Sequence, residues 1–161
     1  HARKAFIRGL LIAPALPAAF PMLFSRAFLE IVDRFKKQLK KVADALLARH
    51  KHNYLPPLLK EIDEQFSGLV NEIAGSLPMG FLESTLNWLG DVFYWSQTRD
   101  VRMLLNIQHK EDIMFLSEWW GVPALKMRID KVSRSMELFR RYVNPALIFE
   151  NLLSNIGGTI H

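Results

Sequence analysis

Apolar residues recur along most of this chain at intervals of three and four, the spacing of one face of an α-helix. Phe28, Val32, Phe35, Leu39, Val42 and Leu46 step by 4, 3, 4, 3 and 4. They predict a long helix from about Met22 to Arg49, with Lys36, Lys37, Lys40 and Lys41 on a basic flank beside the stripe. His50 to Tyr54 breaks the pattern, and Pro56–Pro57 restarts it, because proline is well tolerated in a first helical turn. Leu59, Ile62, Phe66, Leu69 and Ile73 make a second stripe that ends near Gly75. Pro78 and Gly80 predict a break before a third stripe, Leu82, Leu86, Leu89 and Phe93.

Shorter pieces follow. Val101 to Leu105 reads as a helical turn, and Glu111 to Trp120 as a short helix stopped at Gly121. Pro123 opens another helix, on which Leu125, Ile129, Val132, Met136, Phe139 and Val143 again step by 4, 3, 4, 3 and 4. Asn144 is placed to cap the last helix, Pro145 to start it and Gly157–Gly158 to end it. No window alternates in the strand manner between hairpin turn residues. The prediction is an all-α protein, a bundle of five to seven helices crossing at shallow angles. It contains no internal repeat and no low-complexity segment.

The N-terminal segment resembles a targeting signal, because Arg3, Lys4 and Arg8 precede an uncharged run from Gly9 to Ser25. Pro14, Pro17 and Pro21 argue against a continuous helix there, and the run is shorter than the roughly 20 residues that span a membrane. We expect an apolar, proline-containing strap over residues 1–24, a helical domain over 25–156 and a tail over 157–161. No membrane contact is expected. The chain opens with His1 and not Met, which reads as a piece of a longer protein with His1 and His161 as candidate non-native ends.

Composition adds exclusions. Half the residues are apolar and 23% are charged, an ordinary globular balance at 161 residues, enough for one domain with a sizeable core. The absence of cysteine removes disulfides, thiolate zinc sites, iron–sulfur clusters and a catalytic thiol. Charge is segregated: residues 1–60 carry a net of +9 and residues 61–161 a net of −4. Such a split fits a nucleic acid, an anionic surface or an acidic partner as well as a solvated basic helix face.

Candidate chemistry is sparse. His50 and His52 are two apart and diverge on a helix, and His109 stands alone, so no metal set is expected. Gly75 to Gly80 has the glycine spacing of a phosphate loop, but Phe81–Leu82 stands where Lys and Ser/Thr belong. Glu61, Asp63, Glu64 and Glu72 read as a solvated or partner-facing helix surface. Trp88, Trp95, Trp119 and Trp120 raise a base-stacking reading, although aromatics at helical spacing are usually core. Adjacent Trp119 and Trp120 cannot both face one core, so one is expected at a contact surface. Lys126, Arg128, Lys131, Arg134, Arg140 and Arg141 outnumber Asp130 and Glu137 over residues 125–142, which suits phosphate or an acidic neighbour. No catalytic residue, cofactor or metal site is expected.

The segment from Arg140 to Leu153, with Asn144-Pro145, Leu147, Glu150 and the Leu152-Leu153 pair, resembles the closing signature of the delta-prime subunit of bacterial DNA polymerase III. Trp88-Leu89-Gly90-Asp91 resembles the tryptophan–aspartate motif of an earlier helix in that family, and Leu104-Leu105-Asn106 the link that follows it. The likeness covers about Leu77 to Ile156. The chain departs from the pattern at Gly90, usually Arg, and at Ala146, often basic. Residues from about 40 to 76 look longer than the corresponding link, which predicts an inserted helix.

The resemblance implies a helical collar domain without the AAA+ modules that carry ATPase chemistry. It implies a role in assembly: holding a subunit in a pentameric ring with gamma/tau and delta subunits of a cytoplasmic clamp loader. That ring loads the sliding clamp onto primed DNA for the replicative polymerase, so contact with DNA and clamp would be indirect. The equivalent gamma/tau domain ends in a similar pattern and stays an alternative. A helical nucleic-acid-binding domain using Lys36, Lys37, Lys40, Lys41, Arg134, Arg140 and Arg141 is the other.

Overall fold

The computed structural model describes residues 20–156, and among them the protein is all α-helical, with no strand. Helix α1 spans Phe20–His50, and a 3-10 turn, Lys51–Asn53, follows it. Helix α2 spans Pro56–Thr98. A second 3-10 turn, Ile107–His109, leads into α3 (Lys110–Trp119), α4 (Val122–Arg140) and α5 (Pro145–Ile156). The expected strap lies outside the described residues except for 20–24, which belong to α1, and the expected tail lies outside them too.

Two sequence expectations need correction. The predicted break at Pro78 and Gly80 does not occur, and α2 runs through both residues. An internal proline loses one backbone hydrogen bond and crowds the preceding turn, a cost of about 3 kcal/mol. Here Val70, Ala74, Pro78 and Leu82 are all buried at steps of four, so one packed row continues across the proline and offsets that cost. The expected helical turn at Val101–Leu105 is instead a bend and turn, with the Leu104 N–H donating to the Val101 carbonyl at 3.2 Å.

The chain forms two compact units. One is Arg26–Pro78, made of most of α1 and the first half of α2. Within the described residues, the other comprises 20–25 and 79–156. The division falls at Pro78, so the proline marks a change of packing unit inside an unbroken helix.

The 79–156 unit holds most of the core. From α2 it buries Leu82, Trp88, Leu89, Val92 and Trp95, and from α3 Ile113 and Leu116. Leu125, Val132 and Met136 come from α4, and Ile148, Phe149, Leu152 and Leu153 from α5. Full burial of each large apolar side chain contributes about 1.5–3 kcal/mol. Helices α4 and α5 pack directly on each other, and Phe149 meets Phe81 edge-to-face at 5.7 Å between centroids. The turn between them is closed at both ends. The Tyr142 N–H donates to the Phe139 carbonyl and the Val143 N–H to the Leu138 carbonyl, the double bond of a Schellman stop. Asn144 Oδ1 then accepts the Ala146 N–H at 2.9 Å and caps α5.

Candidate functional site

The two segments that resemble the earlier family motifs meet in space. Asp91 is buried on α2, and its carboxylate reaches the loop after that helix. Oδ1 accepts the Leu105 N–H at 2.9 Å, and Oδ2 accepts the Asn106 N–H at 2.8 Å and the Asn106 Nδ2–H at 2.7 Å. A buried carboxylate needs such donors, because a charge withdrawn from water must be compensated by hydrogen bonds or a partner charge. The grip fixes the alternation of the loop. Leu104 and Asn106 point into the core, whereas Leu105, between them, is 71% exposed, with Met103 and Ile107 exposed beside it.

Helix α3 follows this pinned loop and carries two further exposed aromatics. Phe115 and Trp119, one turn apart, pair at 6.0 Å between ring centroids. Trp119 is 53% exposed and its neighbour Trp120 is buried, the split expected for adjacent helix positions. Trp88 and Trp95 are buried as well, so only Trp119 among the four tryptophans is available to a partner, and a base-stacking row of tryptophans is not formed. Scattered exposed apolar residues are ordinary. Five on one immobilised loop and the helix it feeds have the composition of a contact surface.

The segment that resembles the closing signature forms the start of α5. Pro145 starts α5 behind the Asn144 cap, Glu150 is half-buried and Leu147 is exposed. Ser25 is buried at the start of α1 and donates from Oγ to the Ala146 carbonyl at 3.1 Å.

The basic residues divide between the units. Lys36, Lys37, Lys40 and Lys41 are exposed on α1 within the 26–78 unit, and Lys37 pairs with Asp33 at 2.7 Å. Arg134, Arg140 and Arg141 are exposed at and beyond α4 in the other unit. A shallow groove along α4 is lined by Lys126, Met127, Asp130, Arg134 and Glu137, so both signs of charge share it. Lys131 donates to the Asn155 carbonyl at 2.5 Å, which commits it to the end of α5.

Arg128 is not part of the basic surface expected over 125–142. It is 1% exposed, its guanidinium lies 4.4 Å from the centre of the Trp120 ring, and Nη1 donates to the Ala124 carbonyl at 3.1 Å. Burial lowers its pKa. The sequence did contain a cue, because Arg128 lies three residues after Leu125 and four before Val132, on the same face as both.

Among the described residues, no three His, Asp or Glu side chains gather into a metal-holding group, and no helix is long and apolar enough to cross a membrane. Comparison with protein-family models, with curated proteins and with solved structures gives no match.

Proposed function

We propose that this chain is an assembly domain, the collar of a delta-prime-like clamp-loader subunit acting in the cytoplasm, with gamma/tau and delta subunits as its partners. The observation that carries the reading is the Asp91 grip on Leu105 and Asn106. It joins the two motifs that resemble the family and holds the exposed Met103, Leu105 and Ile107 as a rigid platform, and α3, which follows in the chain, carries the exposed Phe115–Trp119 pair. A rigid apolar platform loses little conformational entropy when a partner covers it, which favours lasting assembly. The domain itself would hold subunits together, with ATP-driven work left to other modules of the complex.

Native mass spectrometry of the chain mixed with purified delta and gamma/tau subunits tests the reading. A defined hetero-complex is expected, and Leu105→Ser combined with Trp119→Ser is expected to weaken it at least about tenfold, as for truncation of central interface residues. Both side chains are exposed, so the variant should fold normally. No complex with either subunit, together with DNA binding whose affinity falls steeply as salt rises, would favour the nucleic-acid alternative instead.

A further inference from the structure

The Arg26–Pro78 unit carries an apolar face that its own folding leaves uncovered. Its two helices are joined by only five residues, 51–55, so the chain turns back as an αα-hairpin. Along α1 the more buried positions are Phe28, Leu29, Val32, Leu39, Ala43 and Leu47. About a quarter-turn to one side, at 100° per residue, lie Ile31, Phe35, Val42 and Leu46, all exposed. Along α2 the more buried row is Leu59, Phe66, Val70 and Ala74, and about a quarter-turn to the same side lie Leu58, Leu69 and Ile73, again exposed, with the half-buried Ile62 between them. In antiparallel helices, flanks displaced in the same sense fall on the same face of the pair. The hairpin therefore presents one continuous apolar face, with Ile31 and Ile73 toward its open end and Leu46 and Leu58 toward the turn.

The charges bordering this face identify what covers it. The outer edge of α1 carries Arg34, Gln38, Lys41, Ala45 and Arg49, three bases and no acid. The outer edge of α2 carries Glu61, Gln65, Gly68, Glu72 and Ser76, at the same 4, 3, 4, 4 spacing, with two acids and no base. All ten positions are exposed. Among the described residues Arg34 pairs with Glu30 alone, at 3.4 Å and exposed to solvent, a contact of small worth.

We infer that this face is covered by the same face of a second copy of the chain, with the two-fold axis parallel to the helices. That arrangement lays α1 over α2 of the second copy and sets each basic edge beside an acidic one. Arg34 and Glu72 are equally distant from the turn, 16 residues from His50 and from Pro56, so they come level across the interface. The other two-fold arrangement, with its axis across the helices, would set base against base and acid against acid. The 56–78 arm is about 35 Å long, and two helices side by side are about 18 Å wide. The face is then about 600 Å² per copy and about 1,200 Å² in total, the lower end of the range for specific interfaces. A reversible dimer follows.

Sedimentation equilibrium of the full chain over a concentration series tests this. A monomer–dimer equilibrium is expected, and Val42→Glu with Ile73→Glu should weaken it at least about tenfold, with unchanged helical circular dichroism. Arg34→Glu should weaken it by a smaller factor, and Arg34→Glu combined with Glu72→Arg should restore it. Leu105→Ser with Trp119→Ser, on the other unit, should leave it unaltered. A chain that stays monomeric at several hundred micromolar would overturn the inference, as would a dimer lost with the Leu105 and Trp119 changes but not with Val42 and Ile73. A monomer that floats with anionic vesicles would also overturn it and reassign the face to lipid.

Discussion

Tyr142 has a φ of 60°, the left-handed conformation that the Schellman stop of α4 requires at this position. A side chain with a Cβ is held there at a cost of about 1 kcal/mol relative to glycine. Tyr142 is 97% exposed and recovers almost none of that through packing. Tyr142→Gly is expected to stabilise the domain by about 1 kcal/mol, seen as a raised denaturation midpoint with an unchanged slope. Asp91 is the opposite case. Asp91→Ala leaves three N–H donors facing a gap and should cost about 3 kcal/mol, with the 103–107 loop losing amide protection first. At the surface, Asp100 is gripped by Arg102, whose Nε and Nη2 donate to the carboxylate at 2.7–3.0 Å. The side-chain bond from Arg102, then the backbone bond from the same residue, lower the Asp100 pKa to about 2. A lowered carboxyl pKa stabilises the fold above the unfolded value near 3.8 and ceases to do so as pH falls toward 2. Carbon-13 titration of the Asp100 carboxyl should give a midpoint near 2, and Arg102→Ala should return it toward 3.8.

Helix α2 shows what periodicity reveals and what it hides. Gly68, Gly75, Gly80 and Gly90 all lie inside it, none has positive φ, and a Cβ at any of them would meet nothing within 4 Å. Gly75 and Gly80, whose spacing resembles a phosphate loop, are thus ordinary helical residues. Each gives up about 1 kcal/mol relative to alanine through the extra freedom of glycine in the unfolded chain. Gly75→Ala and Gly80→Ala should each raise stability by up to that amount in thermal unfolding, and a loss at either would show that its glycine answers a constraint other than helix formation. Local signals such as Pro78 and the glycines predicted a break, whereas the Val70–Ala74–Pro78–Leu82 row, which keeps the helix intact, depends on distant residues covering it. The bounds of α1, the cap at Asn144 and the start at Pro145 were legible because the signals that set them lie within a few residues. The same limit applied at the site. Trp88, Asp91 and Asn106 were legible as motif residues, but the grip that joins Asp91 to Asn106 spans 15 positions and has no local signature. The burial of Arg128 was hidden by its charge, although its position on the Leu125–Val132 face pointed inward.

At the scale of the whole molecule, the two units bury very different amounts of apolar surface. The Arg26–Pro78 unit buries Ala43, Val70, Ala74 and Pro78, all small or medium residues. The other buries three tryptophans, Phe149 and a dozen leucine, isoleucine, valine and methionine side chains. Apolar burial contributes about 25 cal/mol per Å², so the hairpin holds its helices with far less free energy than the helices of the larger core. Helix α2 belongs to both units, and its two halves should therefore open at different free energies although no break separates them. Native-state hydrogen exchange is expected to show amides of residues 62–74 exchanging through a lower-energy opening than those of 85–95. Equal protection along the whole of α2 would mean that the hairpin unfolds only with the core. Because the hairpin face is also the proposed dimer contact, raising the protein concentration should slow exchange at 31–47 and 62–74 and leave 85–95 unchanged, since association stabilises only the conformation it requires.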